Sequence, residues 1–250
     1  MKEWQISSLE LFDVPARIVG DYFSEKMPER IKRIQFTPEE KNQVGIKCNR
    51  SQLADFVKKA IGTEDHKNLI VYGGGWFHHY TYGLCRLADR ISDNYGYIHF
   101  DHHTDFASPD NDSVSFAGFV DAILEDTNAS KAFFVGSNVP RLIQKRLFNA
   151  SPGILEWQLR NPWGKSTFRR KLSKLPEQVY LTFDLDLLSE NELYSDFDQG
   201  ELTAQELFEL VDIIKSEKEI ISADVLGYSS YSRTEDELQI YGNLAEMITR

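Results

Sequence analysis

Gly96-Tyr-Ile-His-Phe100, followed at once by Asp101-His-His-Thr-Asp105, is the stretch whose reading decides the fold of this chain. A short run of apolar and β-prone residues opened by a glycine reads as a buried strand. A strand that ends in Asp-x-His-x-Asp delivers two carboxylates and an imidazole to its carboxyl end. Two other segments follow the same plan. Asn68-Leu-Ile-Val-Tyr72 runs into Gly73-Gly-Gly-Trp-Phe-His78-His79, and Gln178-Val-Tyr-Leu-Thr-Phe183 runs into Asp184-Leu185-Asp186. In open parallel sheets, ligands bind beyond the carboxyl ends of the strands. All three motifs are therefore expected along one edge.

Outward from these strands the pattern continues as strand, loop, helix. Further strands are expected at Lys131–Val135, Gly153–Trp157 and Glu219–Val225. Helices are expected at His79–Ile91, Ser115–Leu124, Thr203–Lys215 and Thr234–Thr249. In Thr203–Lys215 the residues Leu207, Leu210, Val211 and Ile214 mark one helical face. Alternating βα units imply a three-layer αβα architecture around a mostly parallel sheet. With 41% hydrophobic residues, a chain of 250 can bury a full core. No Pro- or Ser-rich linker or internal repeat divides it, so residues 1–250 are expected to form a single domain.

The formal net charge of −11, from 39 acidic and 28 basic residues, argues against nucleic acid, whose binding needs clustered Lys and Arg. It fits a cationic substrate or partner, and equally an acidic surface that keeps a protein soluble. The N-terminal stretch lacks the basic and apolar regions of a secretory signal, and no apolar run is long enough to cross a bilayer. The two cysteines, Cys48 and Cys85, form no Cys-x-x-Cys. Free thiols and a cytoplasmic location are the expectation. Glu25–Asn42 carries charges of both signs and reads either as a peptide-docking element or as an ordinary edge of the fold.

Asp101, His103 and Asp105 alternate along the chain, as do Asp184 and Asp186. In extended backbone, residues two apart point to one side, so each motif is expected to aim its ligands at a common point without special loop geometry. His78 completes a set of four carboxylates and two imidazoles, with His79 as its substitute. That mixture suits hard divalent cations such as Mn²⁺, whereas thiolate-rich sets suit Zn²⁺ or iron–sulfur clusters. Each motif alone has a bland reading, since Asp-rich turns cap helices and His is common in loops. Together, four carboxylates at strand ends with no Lys or Arg in the motifs repel one another and are desolvated. A pair of cations resolves the conflict. Five of the six histidines lie between His78 and His103, and His99, deeper in its strand, reads as a core histidine or one that supports a ligand.

These residues resemble the arginase–deacetylase superfamily. Ureohydrolases carry Gly-Gly-Asp-His, then Asp-x-His-x-Asp, then Asp-x-Asp, in the order found here. His78 takes the place of the first histidine, with an extra aromatic residue before it. Asp101, His103 and Asp105 match the second motif, and Asp184 and Asp186 the third. Gly200-Glu-Leu-Thr203 is similar to the Gly-Gly-Leu-Thr that follows the third motif in arginases. The likeness spans Leu69 to Val225. There are departures. The Asp-Val-x-Glu of arginases, whose glutamate holds the guanidinium, is Asp224-Val-Leu-Gly227 here. The His-Gly segment after the second motif is replaced by Ser113-Val-Ser-Phe-Ala-Gly118. The whole most resembles the small peptide arginases, which convert arginine to ornithine in ribosomally made peptides.

The resemblance implies two Mn²⁺ ions and hydrolysis of an arginine guanidinium to ornithine and urea. It implies an arginine-containing peptide as partner. His78, Asp101, His103, Asp105, Asp184 and Asp186 are the expected metal ligands. Asp105 is also expected to accept a hydrogen bond from the nucleophile, and His79 or His102 to protonate the leaving amine. Glu201 is the candidate to pair with the guanidinium, or else a helix-start acid. Other readings are a deacetylase-like amidohydrolase with one metal, a ureohydrolase of free arginine or agmatine, and a non-catalytic binding module. An oligomer is compatible with all of them.

Overall fold

The βα pattern appears in the computed structural model as a parallel sheet covered on both faces. The structure describes residues 3–10, 13–62, 66–106, 112–137, 154–157, 164–229, 231 and 234–250. Among these, the strands are β1 (Trp4–Glu10), β2 (Ile31–Gln35), β3 (Lys47–Asn49), β4 (Lys67–Val71), β5 (Tyr95–Phe100), β6 (Ser113–Ser115), β7 (Ala129–Val135), β8 (Ile154–Trp157), β9 (Gln178–Asp184) and β10 (Glu219–Leu226). The helices are α1 (Val14–Lys26), α2 (Pro38–Gln43), α3 (Arg50–Ile61), α4 (Tyr80–Ala88), α5 (Val120–Asp126), α6 (Gly164–Leu172), α7 (Ala204–Glu217) and α8 (Glu235–Thr249). Eight strands form the main sheet in the order β2-β1-β4-β10-β9-β5-β7-β8, and every pairing in it is parallel. β3 and β6 make a separate antiparallel pair.

Two apolar layers sandwich the sheet. On one face Val19 and Phe23 of α1, Phe168 of α6, Leu207 and Val211 of α7 and Leu244 of α8 pack on Leu69, Phe100, Leu181 and Val225. On the other, Leu53 and Val57 of α3, Leu84 of α4 and Ile123 of α5 pack on Ile70, Tyr97, Tyr180 and Ile221. The period of two decides which side chains meet the second layer. In β9, Val179, Leu181 and Phe183 enter the first layer and Tyr180 the second. Thr182 and Asp184 follow Tyr180 on the same side. In β5, Ile98 and Phe100 enter the first layer, which leaves His99 and Asp101 on the side of Tyr97. Both strands therefore deliver their polar ends to the α4 side.

The expected strands are all present, with Gly153 lying outside the described residues. The helix expected at Ser115–Leu124 is different. Ser113–Ser115 pairs with β3, a turn closes from Gly118 N to Ser115 O (2.9 Å), and α5 starts only at Val120. Phe119 and Val120 donate their N–H groups to the Asp105 carbonyl (2.9 and 3.1 Å), so the helix is started by a tertiary contact that local sequence does not encode. Glu25–Asn42 covers the end of α1, the edge strand β2 and most of α2, which makes it a margin of the sheet. No helix among the described residues is long and apolar enough to cross a membrane.

Candidate metal centre

The first motif reaches the centre through a turn. After β4 the Gly74 N–H donates to Asp13 Oδ2 (2.8 Å), while Asp13 Oδ1 caps α1 at Ala16 N (3.1 Å). One carboxylate thus ties the loop after β4 to the start of α1. A 3₁₀ turn, Gly75–Phe77, then sets His78 beneath the surface. Gly75 leaves room for the third motif there, since a Cβ would lie 2.8 Å from Asp184 Oδ2.

The second and third motifs are not the simple extended runs their alternation suggests. Asp101 Oδ1 accepts from His103 N (2.5 Å), and Asp184 Oδ1 accepts from Asp186 N (3.2 Å), so each motif turns around its first aspartate. The His102 N–H donates to Asp186 Oδ1 (3.2 Å) and links the two turns. Asp105 has φ of 45°, a left-handed conformation that costs a non-glycine residue about 1–2 kcal/mol. The two N–H groups at the start of α5 hold it by its carbonyl. The expectation of convergence without special loop geometry is corrected here: the turns and one left-handed residue aim the ligands.

The side chains meet in two overlapping groups. His78 Nδ1 lies 3.0 Å from Asp101 Oδ2, 3.0 Å from Asp105 Oδ2 and 3.6 Å from Asp184 Oδ2. His103 Nδ1 lies 2.9 Å from Asp186 Oδ2 and 3.4 Å from Asp101 Oδ1. Asp101 belongs to both groups, one through each oxygen. His99, expected to support the site, places Nε2 3.2 Å from Asp101 Oδ2, and its ring is stacked on that of His78. His78, His99 and Asp101 form one set close enough to hold an ion, and Asp101, His103 and Asp186 form another. The buried atoms His78 Nδ1, His99 Nε2 and Asp101 Oδ2 sit this close without an aligned hydrogen bond. Such atoms fit a cation better than each other.

Electrostatics agree. Burial pushes the Asp184 carboxyl up to about 7, and the Asp101 charge adds to it. Burial and the charges of Asp184 and Asp101 hold Asp186 well above the usual carboxylate range. Asp105 is raised by burial and Asp101. For Asp101, burial is overcome by the close imidazoles of His103, His78 and His99, which hold it well below the usual range. Hydrogen bonds to Asp101 and Asp186 bring His103 up to about 11. Carboxyls biased toward holding protons become good ligands once a divalent cation replaces those protons.

Behind His78 lies a polar network that the sequence did not reveal. The buried Asp224 accepts from Tyr180 OH through Oδ1 (2.6 Å), and through Oδ2 from Tyr72 OH (2.9 Å), Thr81 Oγ1 (2.8 Å) and Thr182 Oγ1 (3.0 Å). Burial raises the Asp224 pKa, and the charge of His78 and the hydroxyl donors hold back the rise. An ionised carboxylate only accepts. Thr182 therefore spends its proton on Asp224 and has only a lone pair for His78 Nε2, 2.9 Å away. His78 must carry its N–H on Nε2, which leaves Nδ1 for a cation. Two signals were available: a threonine two residues before Asp184, and an aspartate inside an apolar strand.

The remaining sequence candidates separate. His79 Nε2 meets the Gly45 carbonyl (2.8 Å), its ring packs on Tyr80, and burial pushes its pKa down to about 3. It is sealed from solvent and turned to the backbone, which leaves no route for a proton to a leaving group. His102 stands half-buried beside the centre. Burial lowers its pKa and the His103 charge adds to this, while Asp101, Asp198 and Glu201 act in the opposite direction. Glu201 is exposed at the rim, on a segment pinned to the third motif by Gly200 N to Asp186 O (2.7 Å) and Ser189 N to Leu202 O (2.9 Å). Gly227 has φ of +100°, and a Cβ there would overlap Asp184 Oδ1 and the Leu185 amide. Position 227 is closed to any side chain.

A parallel three-layer α/β protein whose strand ends gather carboxylates and imidazoles around two overlapping ligand sets is a hydrolase of the metal-dependent kind. The arginase family model matches residues 19–237, and the chain belongs to the arginase family. Its fold is shared with an arginase from Medicago truncatula (TM-score 0.70, 15% identity, covering 99% of this chain and 86% of that one). A hypothetical agmatinase from Burkholderia thailandensis is similar (TM-score 0.71, 16% identity, 99% and 83%). So is a proclavaminate amidino hydrolase from Streptomyces clavuligerus (TM-score 0.72, 12% identity, 100% and 91%). No curated protein matches the chain in sequence.

Proposed function

We propose that this protein is a ureohydrolase that works with two Mn²⁺ ions. It converts arginine side chains of a ribosomally made peptide to ornithine and releases urea. The observation that carries the reading is Asp101, whose two oxygens belong to two ligand groups. One group is His78, Asp101, Asp105 and Asp184, and the other is Asp101, His103 and Asp186. A shared carboxylate supports a pair of cations over the single metal of a deacetylase-like site. Such cations lower the pKa of water and so supply a nucleophile for the guanidinium carbon at neutral pH.

The protein's own residues do the rest. Asp105, held by its backbone, accepts a hydrogen bond from the attacking group. His102, partly exposed beside the centre, gives a proton to the leaving ornithine amine. His79 is not given this role. Glu201 and its neighbour Asp198 draw the cationic side chain to the rim. A peptide substrate is supported by the closed position 227 and by this acidic rim.

The test is urea release by Mn²⁺-loaded protein. An arginine peptide should yield urea and lose the mass that separates arginine from ornithine, while free arginine and agmatine react far more slowly. Turnover of the free compounds alone would defeat the peptide reading. His103→Ala and Asp184→Ala should each lose metal and turnover together, and full activity in either would remove the ligand assignment.

A further inference from the structure

Three rings from three separate segments meet beside the candidate metal centre. The Trp76 centroid lies 4.9 Å from Phe116 and 4.7 Å from Phe197, and Phe116 and Phe197 are 6.1 Å apart. Trp76 sits in the turn after β4, Phe116 in the turn after β6, and Phe197 in the loop between β9 and α7. Phe197 also stands 6.1 Å from the His103 ring, edge to face. A Cβ on Gly75 would lie 3.0 Å from the Phe197 ring and 2.8 Å from Asp184 Oδ2, so the ring and that carboxylate are neighbours across the glycine.

Exposure gives the direction of approach. The His103 side chain is 40% exposed, against 9% or less for His78, Asp101, Asp105, Asp184 and Asp186. Among these ligands His103 is the one most open to solvent, and Phe197 stands beside it, with Trp76 against Phe197. Trp76 is itself 41% exposed, so its ring is open to a ligand. Acidic residues flank the way in: Asp198 and Glu201 are exposed, and both act on His102. Position 227, where the arginase pattern has its guanidinium-binding carboxylate, admits no side chain.

A guanidinium is flat, cationic and weakly hydrated, it stacks on aromatic faces, and it hangs on an apolar stem. We propose that Trp76, Phe116 and Phe197 form the subsite that receives the arginine side chain of the substrate, holding its guanidinium by stacking where position 227 offers no carboxylate. This inference rests on the ureohydrolase reading above. The rings set affinity and selectivity for a cation, while the metal ligands perform the chemistry.

The experiment uses Mn²⁺-loaded full-length protein and one peptide made with arginine, with citrulline as a neutral isostere, or with leucine at the same position. Loss of one cation–π contact changes affinity by about 3- to 30-fold. Trp76→Ala and Phe197→Ala should raise KM for the arginine peptide by that factor and change kcat less, while Trp76→Phe retains most of the affinity. In stopped-flow mixing, the arginine peptide should quench a tryptophan signal that Trp76→Phe removes, and the citrulline and leucine peptides should bind at least threefold more weakly. Unchanged KM in Trp76→Ala with urea still released would overturn the subsite and leave the reaction standing. Equal binding of all three peptides would make the rings a general apolar contact and overturn it also. Selective quenching by the arginine peptide without any urea would uphold the subsite and sink the ureohydrolase reading.

Discussion

Replacing Thr182 by Val tests whether the network behind His78 sets up the metal centre. Val has nearly the shape of Thr and suits a strand, so β9 should keep its packing. What disappears is one hydroxyl, 2.9 Å from His78 Nε2 and 3.0 Å from Asp224 Oδ2. Asp224 retains donors from Tyr72, Thr81 and Tyr180. The buried Nε2–H of His78 is left without an acceptor, and an unsatisfied buried donor costs about 1–3 kcal/mol. With tenfold for every 1.4 kcal/mol, that is roughly a 5- to 150-fold loss, close to the ~10–100-fold seen when the partner of a ligating histidine is removed. Mn²⁺ affinity measured by competition with a chelator should fall by that factor in Thr182→Val and recover in Thr182→Ser. Nitrogen NMR of the His78 ring in the metal-loaded wild type should find the proton on Nε2. Affinity of Thr182→Val within twofold of wild type, or a proton on Nδ1 of the loaded protein, would refute the argument.

Gly227→Glu restores the residue type of the arginase pattern but forces a side chain into Asp184 at a left-handed position. It should lose metal, read by metal analysis, and gain no activity on free arginine. Asp13→Ala removes the cap of α1 and the acceptor of Gly74 N–H, and should cost about 2–3 kcal/mol in urea unfolding. The thiols give a pH test. Burial pushes Cys48 up to about 12, from an ordinary value of 9.0, and raises Cys85 as well. The folded state keeps protons that the unfolded chain releases, so their contribution is complete below about pH 8 and is lost as pH rises through 9 toward 12. Both thiols should resist a disulfide reagent at pH 8 until the protein unfolds, and the unfolding midpoint should fall between pH 8 and 10.

The strands and motifs around the centre were legible because burial imposes simple periods. Runs such as Gln178–Phe183 and Glu219–Val225 must be apolar to lie between two helical layers, and their polar ends mark the open edge of the sheet. The first 66 residues were less readable. β1 and β2 mix polar and apolar positions at the margin of the sheet, and Ser113–Ser115 joins β3, more than 60 residues earlier in the chain, a pairing no local pattern announces.

The sequence by itself determined which residue types stand at the strand ends, and hence that a cluster of potential metal ligands and a parallel α/β frame belong together. Only the tertiary structure decided how they are used. His78 and His79 are adjacent in the chain, yet one faces three carboxylates and the other a backbone carbonyl, because a single turn before α4 rotates them apart. Asp101 serves two ligand groups, Asp224 orients His78 through Thr182, and Gly227 yields its space to Asp184. Each of these depends on distances between segments far apart in the chain, and such distances are fixed by packing, which composition and spacing do not carry.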